Sequence, residues 1–137
     1  MDISFNYLVV LVAGVANMAI GALWYSPVLF GKTWMALMGF NEVMMAEKKK
    51  GMAKMYVLNF IGALVMAYVF VLFAYAWNVT DVSGALRLAF WTWLGFVATV
   101  MLGSILWEGK PIKLYVLNTV YYLVSLSVMG IIFAFWR

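Results

Sequence analysis

Four long stretches of the chain contain no Asp, Glu, Lys or Arg, and this pattern limits the fold more than any other feature. They cover residues 3–31, 55–80, 88–107 and 114–136, which are 29, 26, 20 and 23 residues long. A helix that crosses a bilayer needs about 20 consecutive apolar residues. We therefore predict an all-α membrane protein, one domain over residues 1–137. Its four transmembrane helices would lie at about 6–25, 56–77, 85–107 and 114–136.

The composition excludes an ordinary soluble domain. Hydrophobic residues make up 68% of the chain and charged residues 10%, against about 45–50% and about 25% in soluble proteins. The chain has no Cys and no His, so it lacks thiol chemistry, the commonest general base and the commonest metal ligand. We predict no cofactor and no metal. The net charge of +4 is too modest to indicate a nucleic-acid partner.

The distribution of Lys and Arg predicts the orientation, because cytoplasmic loops carry an excess of both. The first and third loops hold seven of these residues, and the opposite side holds only Arg87 and Arg137. The seven are Lys32, Lys48, Lys49, Lys50, Lys54, Lys110 and Lys113. We expect the first and third loops in the cytoplasm and both termini on the non-cytoplasmic side.

The long first loop, residues 28–54, has features of interfacial helices. Apolar residues recur at helical spacing from Phe30 to Met38, and Asn41 could cap a second short helix running to Lys50. We expect Lys48, Lys49 and Lys50 to contact anionic lipid, with the loop methionines filling the headgroup boundary. A soft-metal site made of these methionines is the less favoured alternative.

A short internal repeat predicts a duplicated helical hairpin. The hexapeptide at residues 54–59, Lys-Met-Tyr-Val-Leu-Asn, recurs at 113–118 with five of six residues identical, and both copies begin a span. Leu23-Trp24 similarly matches Leu106-Trp107. We predict a 2+2 parallel repeat, in which the first two spans repeat as the last two. The alternative is coincidence in an apolar background.

The polar residues inside the spans are amides, hydroxyls and indoles. No ionisable residue lies near the middle of a span, which argues against a proton- or sodium-coupled carrier that uses an embedded carboxylate. Asn118, Tyr122 and Ser125 form one polar stripe at i, i+4 and i+7. The hypothetical ligand-binding residues are Asn17, Trp24, Tyr25, Asn59, Trp107, Glu108, Asn118 and Tyr122. The alternative is that these residues only hold helices together or anchor them at the interface.

Rows of small residues predict close helix packing. One row is Ala13, Asn17 and Gly21, and the other is Gly95, Thr99 and Gly103. The packing could lie within a protomer or between protomers. Four helices alone leave no room for a solvated pore, so a transport role would require a homo-oligomer.

Several segments resemble one family of bacterial membrane proteins, catalogued as domain of unknown function 1761. They are Gly21-Ala22-Leu23-Trp24-Tyr25-Ser26-Pro27 with Phe30-Gly31 and Trp34, then Trp93-Leu94-Gly95-Phe96, Glu108-Gly109-Lys110-Pro111, Asn118 and Tyr121-Tyr122-Leu123-Val124-Ser125. The resemblance covers nearly the whole chain, although the Lys48–Lys50 run departs from it. It implies a four-helix protein of the bacterial cytoplasmic (inner) membrane. It carries no catalytic role, but it draws attention to Trp24, Tyr25, Ser26, Pro27, Glu108 and Asn118.

Three functions from different classes fit the sequence. The favoured one is a non-enzymatic, homo-oligomeric membrane protein that binds or passes a small neutral or amphipathic molecule near the cytoplasmic leaflet. The second is a membrane enzyme for a lipid-soluble substrate, with Glu108, Tyr25 or Ser26 near the interface. The third is a scaffold or accessory subunit that docks through the first loop.

Overall fold

A computed structural model describes residues 6–136, and in this part of the chain helices are the only regular secondary structure, without a β-strand. Its helices are α1 (Tyr7–Trp24), α2 (Gly31–Met38), α3 (Glu42–Lys48), α4 (Met52–Ala76), α5 (Val82–Trp93), α6 (Thr99–Met101), α7 (Gly103–Leu106) and α8 (Ile112–Trp136). Helices α5 to α7 form one segment, Val82–Leu106, which is called the third span below. The four predicted spans are therefore present as four helices long and apolar enough to cross a membrane. Arg137, one of the two basic residues predicted on the non-cytoplasmic side, lies outside the described residues.

Side-chain caps explain where α1, α3 and α5 begin. Asn6 accepts a hydrogen bond from Leu8 N at 3.1 Å, Asn41 from Met44 N at 2.8 Å, and Asp81 from Gly84 N at 2.8 Å. Short polar side chains at this position satisfy amides that have no partner within the helix. Helix α4 begins at Met52, four residues before the predicted 56, and the third span begins at Val82, three residues before the predicted 85.

The bundle is tightly packed at the end that carries the turn between α4 and α5. Helix α1 packs between α4 and α8, and α8 packs between α1 and α5. At Gly130 of α8 an added Cβ would lie 3.2 Å from Ala85 Cβ and 3.4 Å from the Phe70 ring. Three helices meet there because glycine has no side chain. The hydrophobic core, which includes Phe70, Leu88, Met129 and Phe133, lies at this end.

The third span is the least buried of the four. In its most apolar stretch 17% of the residues are buried, against 44% in α8. Its middle is a π-helical turn, Leu94–Ala98, whose side chains include Phe96 at 68% exposed. An added Cβ at Gly95 would meet nothing within 4 Å. The predicted row of Gly95, Thr99 and Gly103 therefore does not pack tightly inside the protomer. The row on α1 does, since a Cβ at Gly21 would lie 2.9 Å from the Tyr121 hydroxyl.

A compact turn connects α1 to α2 and fixes the side chains at the end of α1. Phe30 N donates to Trp24 O at 3.0 Å, and Gly31 N donates to Ser26 O at 2.9 Å. A Cβ at Gly31 would lie 2.6 Å from Tyr25 O, so only glycine fits this close approach. Both short helices expected in the first loop are present, and α2 ends at Gly39 with a left-handed φ of 74°.

Candidate functional site

A buried polar interface joins the middle of α1 to the middle of α8. The Tyr121 hydroxyl lies 3.1 Å from Asn17 Oδ1 and 3.2 Å from Asn17 O, and it donates to these oxygens. Ser125 Oγ also donates to Asn17 Oδ1. Asn17 is 5% exposed and Ser125 0%. The amide oxygen of Asn17 is thus already used within the protein, and we assign Asn17 a role in holding α1 against α8.

A second set of polar contacts lies nearer the first loop. Trp24 Nε1 donates to Leu117 O at 3.2 Å, and the Tyr25 hydroxyl donates to Asn118 Oδ1 at 2.8 Å. The ring centroids of Tyr25 and Tyr121 are 5.5 Å apart, and those of Tyr25 and Trp34 are 6.0 Å apart. Tyr25 therefore connects α1, α2 and α8, and the glycine turn described above holds it in place.

Two adjoining cavities open beside this interface, and together they are called the cleft. The membrane cavity, of about 880 Å³, lies between α1 and α4 and reaches Asn17, Met18 and Asn59. The loop cavity, of about 840 Å³, lies beneath α2 and α3. The two share four lining residues, Ala22, Tyr25, Tyr56 and Tyr122. Each volume falls within the roughly 300–1,000 Å³ of typical small-molecule sites.

The chemistry of the cleft changes along its length. The loop cavity is lined by Lys32, Lys48 and Lys49 and by the flexible side chains of Met35, Met45, Met52 and Met101. The membrane cavity is lined by amides, phenols, the methionines Met18 and Met66, and small apolar residues. No Asp or Glu of the described residues lines either cavity. Residues 6–136 also contain no group of three or more His, Cys, Asp or Glu residues placed to hold a metal ion.

Two polar groups in the cleft retain hydrogen-bonding capacity. Asn118 uses its Oδ1 to accept from Tyr25, whereas its Nδ2 donates to no atom of residues 6–136. The Tyr122 hydroxyl also makes no hydrogen bond within this part of the chain, although the Tyr122 ring packs 4.9 Å from that of Tyr121. Asn118 and Tyr122 can therefore offer hydrogen bonds to a ligand without losing contacts that hold the helices together.

The structure places the eight predicted ligand-binding residues in different surroundings. Tyr25 and Tyr122 line both cavities, Asn17 and Asn59 line the membrane cavity, and Asn118 lines the loop cavity. Trp24 lies outside the cleft, in a shallow pocket with Phe30 and Lys113. Trp107, at 88% exposed, and Glu108, also exposed, line neither cavity.

Several residues that line the cleft are not among the eight predicted ones, and three of them are informative. Tyr121 is the hydrogen-bonding centre of the α1–α8 interface, and its spacing from Asn118 and Ser125 (i+3 and i−4) is the sequence signal for it. Tyr56 lies in the first hexapeptide copy, three residues before the predicted Asn59. Lys32 could not be predicted as a site residue, because nothing in the sequence shows that α2 folds back over a cavity.

These observations define a class: a small multi-pass membrane protein, all-helical in its described part, with a cleft that runs from a lysine-rich loop to amides within the spans. A family model matches residues 8–134, nearly the whole chain, and its description is "Protein of unknown function (DUF1761)". The chain belongs to this family, as the resemblance of its sequence segments indicated. Searches of the curated proteins and of the solved structures found no match.

Proposed function

We propose that this protein binds a small neutral or amphipathic molecule in the cleft, and holds or passes it near the cytoplasmic leaflet. The observation that carries the proposal is the pair of adjoining cavities, which share Ala22, Tyr25, Tyr56 and Tyr122. A molecule in the cleft would contact methionine and aromatic side chains along most of its length. Such sites combine apolar walls with a few polar groups that fix orientation, and Asn118 and Tyr122 are placed for that role.

Binding accounts for the cleft better than catalysis does. General acid–base chemistry needs a titratable group within hydrogen-bond reach of the substrate. Glu108, the strongest candidate for an enzyme, is exposed and lines neither cavity. Ser26 Oγ lines the loop cavity, but it donates to Leu23 O at 2.7 Å, and no base is hydrogen-bonded to it within the described residues.

The proposal includes the location and assembly of the protein. We place it in the bacterial cytoplasmic membrane, with the first loop in the cytoplasm because of its lysines. We propose a homo-oligomer that uses the third span, whose Phe96, Val100 and Leu106 are 68%, 72% and 63% exposed. Gly95 on that span would allow a second copy to approach closely. The duplicated hairpin remains part of this proposal, supported by the repeated hexapeptide.

Blocking the cleft tests the proposed binding. Ala22 lines both cavities, whereas its neighbour Leu23 is 56% exposed and lines neither. The probe is hexadecanol with a photoreactive diazirine in its chain, added to the protein in phosphatidylcholine nanodiscs. We expect the probe to label cleft residues such as Tyr56. Ala22→Trp should remove most of this labelling, because an indole at position 22 fills space that both cavities share, while Leu23→Trp should leave it unchanged.

Two further measurements test the assembly and transport parts of the proposal. Native mass spectrometry should show an oligomer, together with a small molecule that Ala22→Trp loses. Proteoliposomes should show flux of that molecule in the wild type only. A protein that is monomeric, carries no ligand and labels equally in both tryptophan variants would contradict the proposal. Such a result would favour a scaffold that docks through the first loop.

A further inference from the structure

The lysines of the first loop have two distinct placements. All five of these lysines are exposed. Lys32, Lys48 and Lys49 line the loop cavity, whereas Lys50 and Lys54 line neither cavity. Attraction between a basic loop and an anionic membrane surface depends on charge and distance, and it does not distinguish these two groups. A cavity lined by three of the five lysines therefore calls for an explanation beyond surface attraction.

The three cavity lysines have no acidic partner in the described part of the chain. None of them forms an ion pair with Glu42 or Glu47, the two acidic residues of the loop. Lys48 Nζ lies 3.9 Å from the centroid of the Phe40 ring. This contact positions the ammonium over the ring without neutralising it, because an aromatic face carries no net charge. The cavity thus holds three positive charges and no negative one.

Other groups that line the loop cavity also suit an anion. The Asn118 Nδ2 and the Tyr122 hydroxyl are hydrogen-bond donors without a partner in residues 6–136. Gly31 and Lys32 begin α2 at the wall of the cavity, and the first turn of a helix carries partial positive charge. Cations, neutral donors and a helix start therefore surround one space.

We infer that the loop cavity binds the acidic headgroup of an amphiphile whose hydrocarbon chain lies in the membrane cavity. This inference rests on the proposed function and specifies its ligand class. Lys32, Lys48 and Lys49 bind a phosphate or carboxylate, and the donors of Asn118 and Tyr122 complete its hydrogen bonds. The chain passes Ala22 and Tyr56 towards Gly62, where an added Cβ would meet nothing within 4 Å.

A matched pair of double variants separates this site from general attraction to the loop. Lys48→Gln with Lys49→Gln removes two charges that line the cavity. Lys50→Gln with Lys54→Gln removes two charges from the same loop region but outside the cavity. The probes are hexadecyl phosphate and hexadecanoate, each with a diazirine in its chain, in phosphatidylcholine nanodiscs. The uncharged reference is the hexadecanol probe described above, and labelled residues are identified by mass spectrometry.

We expect both acidic probes to label cleft residues more strongly than hexadecanol does. The Lys48/Lys49 double variant should weaken that labelling at least about tenfold, because it removes two direct charge-assisted hydrogen bonds to the headgroup, each worth roughly tenfold or more in affinity. The Lys50/Lys54 double variant should change it less than about threefold, and hexadecanol labelling should be unchanged in both. Unlabelled phosphatidylglycerol then identifies the source of the headgroup. Competition indicates a bilayer phospholipid, and lack of competition indicates a single-chain acid.

Two results would overturn the inference while leaving the proposed function intact. One is hexadecanol labelling as strong as that of the acidic probes, which would mean that the cleft ignores charge. The other is an equal loss in the two double variants, which would mean attraction to the loop surface only. If no probe labels the cleft and Ala22→Trp has no effect on any of them, the proposed function fails as well.

Discussion

The two copies of the repeated hexapeptide occupy very different surroundings. In α8, Leu114 and Leu117 are 4% and 9% exposed, and the Asn118 side chain accepts a 2.8 Å hydrogen bond from Tyr25. In α4, Met55 and Leu58 are 62% and 53% exposed. Among the described residues, the Asn59 side chain makes one hydrogen bond, a 3.4 Å contact from Nδ2 to the sulfur of Met18. The same residues form helix in both places, but they pack in only one.

The difference between the two copies separates helix formation from side-chain packing. Helix formation is local, since both copies contain good helix formers at the start of a span. Packing depends on which helix lies alongside. Helix α8 is flanked by α1 and α5, whereas the first copy in α4 faces the cleft or lies open to lipid. The second copy thus packs into the bundle, and the first keeps its side chains exposed, as the proposed ligand site requires.

The largest expected difference in the free energy of unfolding is between substitutions at Leu114 and Met55, the second residues of the two hexapeptide copies. Leu114→Ala should lower the free energy of unfolding by about 2 kcal/mol, at the lower end of the range for buried leucine, because it leaves a void between packed helices. Met55→Ala, at an exposed position, should cause no measurable change. Reversible unfolding in mixed micelles with increasing dodecyl sulfate measures both. Equal losses would mean that α4 packs as tightly as α8 at this level.

A smaller contrast is expected at the asparagines. Asn118→Leu removes the acceptor of the Tyr25 hydroxyl and should cost about 1 kcal/mol, near the usual size of a polar contact between membrane helices. Asn59→Leu should leave the free energy of unfolding unchanged within error, in the same unfolding titration. Tyr25→Phe is the control, because the double variant Tyr25→Phe with Asn118→Leu should cost little more than Asn118→Leu alone. Additive losses would show that the two side chains do not interact.

Much of the fold could be predicted from the sequence, because the signals involved are local or compositional. Uncharged stretches of about 20 residues predict spans wherever they occur. Asn41 predicts the start of α3 because an Asn side chain can cap an amide two or three residues away, and it accepts from Met44 N at 2.8 Å. The π-helical turn at Leu94–Ala98 was not predicted, since no proline or charge marks it. The duplication stays a prediction.

The candidate site was less predictable because it depends on how α2, α3, α4 and α8 come together. The sequence identified Tyr25, Asn118 and Tyr122 as polar residues within or near the spans, and all three line the cleft. It could not separate Lys48 and Lys49 from Lys50, which follow one another in the chain. Only the fold of the loop over the cavity distinguishes them. Trp107 matched Trp24 in sequence, yet it is 88% exposed because the chain turns away after α7.

The smallest expected contrast is between the two tyrosines of the hexapeptides. The Tyr115 hydroxyl donates to Ala98 O at 2.6 Å, at the end of the π-helical turn, whereas Tyr56 faces the cleft. Tyr115→Phe should lower the free energy of unfolding by about 0.5 kcal/mol, less than Asn118→Leu. The loss is small because the substitution leaves one backbone carbonyl, that of Ala98, without this hydrogen bond. Tyr56→Phe should leave unfolding unchanged, since its hydroxyl holds no helices together. Amide hydrogen exchange adds a readout of position. If exchange in Tyr115→Phe becomes faster only at residues 94–103, the Tyr115 hydrogen bond holds the π-helical turn. An equal increase in exchange throughout the protein would show that it does not.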